Sequence, residues 1–276
     1  MDDKFLPSQA AIISDNAEEL ERLVRADPSL ARDRSLSLDH STLLQCLVLE
    51  TPARRSLGHL IRLLAQFGAK LNEPLVDSAS RNNLLAVEVL LHLGASISGE
   101  GKWSPLEEAL YWGHLSIVGL LLKRGAPVDN LRKFAAFGDL QGLRRCFNDD
   151  GSLNRQAGEV AWPFGPTIPE EVVHDRLQIM NNALVYAAAW GQIESAGKLL
   201  SRGAEINSIP ARFDYAGTPL HYASIQNRHE MVEWLLEYGA DPTIRDTKVH
   251  ATPVGWAEYV HHPQLAVYIR GKKGNF

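Results

Sequence analysis

Only two cysteines, Cys46 and Cys146, occur in the 276 residues, and they stand far apart with no CxxC context. Neither a disulfide framework nor a structural zinc site is expected from such sparse thiols. No run reaches the roughly 18 apolar residues that a membrane-crossing helix needs. The chain opens on Met1-Asp2-Asp3-Lys4, charged rather than apolar, so no secretory leader is expected either. A strong charge of one sign is missing as well: the formal net charge is -5, which argues against nonspecific binding to nucleic acid. Also absent are a P-loop, a GxSxG elbow, an HExxH helix and an EF-hand loop. The expectation left by these absences is a soluble, cytoplasmic protein with no cofactor, no metal, no membrane and no nucleic acid among its partners.

What the sequence does contain is clearest at 217–241, GTPLHYASIQNRHEMVEWLLEYGAD. Thr218 can cap a helix, and Pro219 fits the first turn, where a missing N–H costs nothing. Leu220, Ala223 and Ser224 suit a short, closely packed helix. Asn227 falls at its end, because asparagine tolerates the left-handed conformation. Met231, Val232, Trp234, Leu235 and Leu236 give a second helix its apolar face, and Gly239 ends it. Such a helix pair is too thin to bury its own apolar faces and needs neighbours.

The run Thr218-Pro219-Leu220-His221-Tyr222-Ala223, followed by Leu235-Leu236 and Gly239-Ala240-Asp241, resembles an ankyrin repeat, whose period is about 33 residues and whose mark is TPLHxA. The resemblance implies an all-α solenoid of stacked helix pairs joined by short hairpin loops. Seven to eight repeats are expected, interrupted by one insertion.

Taken in order, an irregular capping repeat is expected at 5–32, with helices at 9–14 and 17–25. The next pairs are 42–49 with 56–67, then 73–80 with 84–93, then 104–112 with 115–123, then 129–137 with 140–147. Gly68 and Gly94 stand closer than one full period, so the third repeat should lack a full hairpin loop, and the fifth likewise. The pattern stops at 148–175, which carries Gly151, Gly158, Gly165, Pro163, Pro166 and Pro169 together with Trp162 and Phe164. Two large aromatics favour an ordered insertion or lid over disorder. Part of it, 170–181, could run as helix into the sixth pair, 182–190 with 193–201. The seventh repeat follows a long hairpin region, 208–216. The eighth opens at Thr252-Pro253, with helices at 254–260 and 264–269 and a basic tail. The expected divisions are therefore N-terminal repeats 1–147, an insertion 148–175, C-terminal repeats 176–270 and a tail 271–276.

In the resembled family, hairpin tips and the exposed side of each first helix form the recognition surface. The residues just before each inter-helix turn are Tyr111 and Trp112, Ala136 and Phe137, Ala189 and Trp190, Ile225 and Gln226, and Tyr259 and Val260. Aromatic side chains recur in this register, and they give large contact area at low entropic cost. The bland alternative is that Trp162 and Phe164 fold back and bury the stripe. Arg212, Phe213, Asp214 and Tyr215 are the candidate hairpin-tip contacts.

Among polar residues, Glu170 and Glu171 are neighbours in sequence and would point apart on a helix, so they do not read as an acid/base pair. They suit the charge preference of a helix start. His174 and Asp175 are likewise adjacent rather than spaced to cooperate. His221 fills the histidine slot of the repeat, where the resemblance implies a structural hydrogen-bonding role. Glu107, Val185 and Gly255 replace it elsewhere, which puts regular hairpins at those repeats in doubt. His250, His261 and His262 have no nearby carboxylate or cysteine to complete a metal site.

The expected function is a non-catalytic protein–protein interaction module, its partner another protein or peptide. The competing expectation is an enzyme or a binder of an apolar small molecule, with an aromatic pocket roofed by 148–175. Its acid/base group would come from Glu159, His174, Asp175 or Asp214.

Overall fold

A computed structural model describes residues 3–35, 41–50, 55–99, 103–160, 170–210 and 216–272. The chain divides into two compact units, Met1–Pro127 and Val128–Phe276. Among the described residues all regular structure is helical apart from one isolated bridge, Phe147 to Leu153.

The N-terminal unit contains α1 (Leu6–Ile13), α2 (Ala17–Ala26), α3 (Ser29–Arg32), α4 (Leu43–Leu49), α5 (Leu57–Gln66), α6 (Asn72–Ser80), α7 (Leu84–His92), α8 (Pro105–Trp112) and α9 (Leu115–Lys123). First helices α1, α4, α6 and α8 pack one on the next, and second helices α2, α5, α7 and α9 do the same. The C-terminal unit contains α10 (Leu131–Phe137), α11 (Leu140–Arg145), α12 (Glu170–Val173), α13 (Arg176–Ala189), α14 (Ile193–Ser201), α15 (Pro219–Ile225), α16 (His229–Glu237), α17 (Pro253–Tyr259) and α18 (Pro263–Lys272). Here α10, α13, α15 and α17 form the first row, while α11 packs on α14 and α16 on α18. Leucines and alanines of both rows interlock, as with Leu184, Leu199, Leu220, Leu235 and Leu265, all fully buried.

Local chemistry explains the element ends. Asp15, Asn82, Asn227 and His261 each take a positive φ between the two helices of their pair. Asparagine and aspartate tolerate that region because their short polar side chains can bond locally. Several caps are side-chain made, as at Asn16, Thr42, Asn83, Ser104 and Asn130. Ser104 Oγ accepts from the Glu107 N–H at 3.2 Å, and Glu107 Oε2 accepts from the Ser104 N–H at 3.1 Å. Glu107 thus replaces histidine in the slot with a reciprocal capping box, which keeps the repeat regular.

Several boundaries differ from the sequence reading. The first helix starts at Leu6 rather than at 9, and within the expected 5–32 repeat a further turn follows the second helix. Asp27 Oδ1 accepts from the Ser29 N–H at 3.0 Å and starts one more turn, α3, which buries Leu30 and Ala31. The helix expected over 170–181 is broken at His174, and Asp175 caps the separate α13. The last helix runs to Lys272 rather than stopping at Ile269.

The described parts of 148–175 are tied to the C-terminal unit. Ala157, Val160 and Val173 are buried. The Val160 N–H donates to the Val173 carbonyl at 2.9 Å. The Arg132 guanidinium donates to the Glu159 carbonyl at 2.6 Å. Trp162 and Phe164 lie outside the described residues, so the idea that they cover the stripe concerns atoms not described.

Candidate functional site

The residues before each inter-helix turn sit at the C-terminal ends of first helices, where backbone carbonyls lack intrahelical partners. In three repeats a side chain from the following repeat satisfies one of them. Arg81 donates to Leu49 C=O at 3.0 and 3.1 Å, His114 Nε2 to Ser80 C=O at 2.9 Å, and Arg228 Nε to Ala189 C=O at 3.0 Å. These three carbonyls occupy the same register, so the slot is also a seam between neighbouring repeats. Burial lowers the His114 pKa, against the pull of the Ser80 carbonyl, which favours the neutral ring.

In the C-terminal unit this register brings Phe137 and Trp190 together, with ring centroids 6.5 Å apart and planes at 46°. The Arg228 guanidinium lies over the Trp190 ring at 5.8 Å. All three side chains are half-buried. Ile225 and Gln226 of the next repeat are half-buried as well, and Tyr259 of the last is 82% exposed.

In the N-terminal unit the same register holds Tyr111 and Trp112, and their roles separate. Tyr111 is only 4% exposed and meets Trp112 edge to face at 5.0 Å, so it supports its neighbour and offers no surface of its own. Trp112 is half-buried, and its indole N–H donates to Glu108 Oε1 at 2.7 Å. The other oxygen of that carboxylate accepts from the Trp103 indole at 2.6 Å.

The polar candidates are dispersed in role. Asp175 Oδ1 accepts from the Leu177 and Gln178 N–H groups at 2.8 and 3.1 Å, and is thereby occupied as a helix cap. His174 is exposed. The Val160–Val173 backbone bond sets the chain at Glu159 beside that at His174. Asp214, with Arg212, Phe213 and Tyr215, lies outside the described residues. His221 is fully buried. Its Nδ1 accepts from the Thr218 N–H at 3.1 Å and from the Thr218 hydroxyl at 2.8 Å. Its Nε2–H donates to the Ala251 carbonyl at 3.1 Å. Burial depresses its pKa to about 4 despite the Ala251 carbonyl and Asp246, so the ring is a neutral fastener of helix to hairpin. Burial likewise pushes the Cys146 thiol up to about 12, which marks it as inert.

Sequence reasoning passed over Arg228 and Trp103, and took Glu108 only as a polar group near the aromatic register. Arg228 had a signal: it directly follows the turn residue Asn227, in the slot that also holds His114. Among the described residues there is no group of three His, Cys, Asp or Glu placed to hold a metal ion. Nor is any described helix long and apolar enough to cross a membrane.

Fold and site together define an α-helical repeat scaffold with half-buried aromatic side chains at first-helix ends. Family models of ankyrin repeats match residues 173–246, as three copies, and 101–133. Residues 101–133 and 173–246 are thus ankyrin repeats. It is 28% identical over 174 residues to "Ankyrin repeat and KH domain-containing protein mask-1" of Caenorhabditis elegans, covering 60% of this chain and 6% of that protein. It is 35% identical over 101 residues to human "Transient receptor potential cation channel subfamily A member 1", covering 33% of this chain and 9% of the channel subunit. Each alignment thus spans under a tenth of its relative's length. A crystal structure of the human ASB11 ankyrin repeat domain aligns over 95% of this chain and 97% of its own, with 19% identity and a TM-score of 0.42.

Proposed function

We propose that the chain is a non-catalytic protein-recognition module whose anchors are the half-buried aromatic residues at the ends of first helices. The observation that carries this reading is the Phe137–Trp190–Arg228 stack in the C-terminal unit. Aromatic and arginine side chains dominate the energetics of protein interfaces, because they bring large area and few rotatable bonds. A half-buried stack already held by neighbours loses little further freedom when a partner covers it. Trp112 is the corresponding anchor of the N-terminal unit. The described parts of the segment, 148–160 and 170–175, are a docked insertion on this reading, supported by the burial of Ala157, Val160 and Val173. The alternative of an acid/base site roofed by that segment gains nothing from Asp175, whose carboxylate caps α13.

The test is a peptide-display selection on the whole chain, followed by titration of a selected peptide against Trp190→Ala. The expected result is a loss of tenfold or more in affinity, the scale of about 1.4 kcal/mol or above that marks an interface anchor. Selected peptides that bind the variant as tightly as the parent chain would overturn the reading.

A further inference from the structure

The first helices of the N-terminal unit carry a buried carboxyl group that no capping or pairing role absorbs. Asp77, midway along α6, is fully buried, and neither of its carboxyl oxygens has a hydrogen-bond partner. Taking an ionised carboxylate out of water without partners is among the most costly arrangements in a protein, and the neutral acid is far cheaper.

The neighbours do not relieve it. From α4 comes the uncharged Gln45 amide, which pulls the Asp77 pKa down but makes no hydrogen bond of good geometry to either oxygen. From α8 come Glu107, engaged in its capping box, and Glu108, itself buried at 2% exposure. On α6 itself stands Glu73, ion-paired to Arg34. On α7 the ionisable groups are Glu88 and His92, both exposed. Burial, together with the negative charges of Glu108 and Glu73, holds the Asp77 pKa up to about 7, with Gln45 offsetting only part of this.

Glu108 is the charge that matters, because its two oxygens hold the Trp103 and Trp112 indoles. We propose that Asp77 is a proton-held latch: protonated, it lets α6 and α8 close around the Trp103–Glu108–Trp112 clasp, and ionised, it sets a second buried negative charge beside Glu108 and releases that clasp. The step is a simple proton loss to solvent, with no other bond made or broken. The latch operates within the N-terminal unit and does not depend on what the chain binds.

The sign follows from the native and unfolded acids. The unfolded chain releases the Asp77 proton near pH 4, and the native chain holds it to near neutrality. Stability from this group is therefore full below about pH 4, falls as pH rises to about 7, and is level above. Other groups titrate over the same range, so the informative quantity is the difference between the parent chain and Asp77→Asn. Relative to that variant, the parent's folding equilibrium constant should drop roughly tenfold per pH unit between about pH 4 and 7. Its tryptophan emission should also shift with a midpoint near neutrality, while Asp77→Asn stays unshifted. Parallel stability curves with no such emission shift would overturn the proposal.

Should Asp77→Asn not fold, infrared spectroscopy of the parent chain carrying carbonyl-labelled aspartate decides. A protonated aspartic-acid band present at about pH 6 and gone by about pH 8.5 supports the latch. Its absence at about pH 6 overturns it.

Discussion

Trp103 and Trp112 share one acceptor, each indole N–H donating to its own oxygen of the Glu108 carboxylate, at 2.6 and 2.7 Å. The pairing joins the residue before the cap of α8 to its last turn and places a buried charge between two large rings. Charge-assisted bonds of this kind are among the stronger side-chain interactions. Glu108→Ala would leave both donors without that acceptor, so a loss of about 2–5 kcal/mol in chemical denaturation is expected. Glu108→Gln, which keeps one acceptor oxygen, should cost less. Equal losses for the two variants would show that packing rather than hydrogen bonding sets the cost.

His221 links three groups, the Thr218 N–H, the Thr218 hydroxyl and the Ala251 carbonyl, and does so as a neutral ring. Its folded pKa is lowered from 6.5 to about 4. The stabilisation is therefore complete above the unfolded value and is lost as pH falls, by ~1.4 kcal/mol per unit down to about pH 4. Denaturant melts of His221→Ala should show a loss of about 2–3 kcal/mol near neutrality, because buried partners are orphaned. Its stability deficit relative to the parent should shrink as the solution is acidified. A deficit that is constant with pH would contradict the neutral-fastener role.

Gly142 lies inside α11, where alanine would ordinarily stabilise a helix by up to about 1 kcal/mol. A Cβ there would overlap the Phe134 ring and approach the Asp139 carboxylate at 2.6 Å. Gly142→Ala should therefore destabilise by about 1–3 kcal/mol, the usual cost of overpacking. An unchanged or raised melting temperature would mean that α10 and α11 can separate without penalty.

Leu235 is fully buried among Leu199, Leu220 and Leu265 in the C-terminal core. Leu235→Ala should cost about 2–5 kcal/mol, the transfer loss plus the cavity it leaves. A loss under 1 kcal/mol in equilibrium unfolding would indicate that this repeat collapses around the gap.

Most of the helix pairing was legible in the sequence, because each pair repeats the same local grammar. Thr218 announces a cap, Asn227 announces a left-handed turn, and the leucines between such signals fall at helical spacing. The structural role of His221 was legible for the same reason. The site was legible only in part. The aromatic register gave Phe137 and Trp190, but nothing in the one-dimensional pattern distinguishes the buried Tyr111 from the half-buried Trp112. Trp103 reads as loop filler until the fold brings its indole onto Glu108. Asp77 was equally hidden: a carboxylate beside Ser78 and Ser80 looks like a solvated position, and only the packing of α4 and α8 on α6 buries it. The extra turn after Asp27 and the break before Asp175 were missed because both depend on a side chain turning back on its own backbone, which periodicity does not record.

The most direct test of the recognition reading is a hydrogen-exchange footprint of the chain with and without a selected peptide. The account predicts new protection around 134–138, 187–191 and 225–228, the helix ends that carry Phe137, Trp190 and Arg228. Protection confined to the second helices, with those three stretches unchanged, would contradict it.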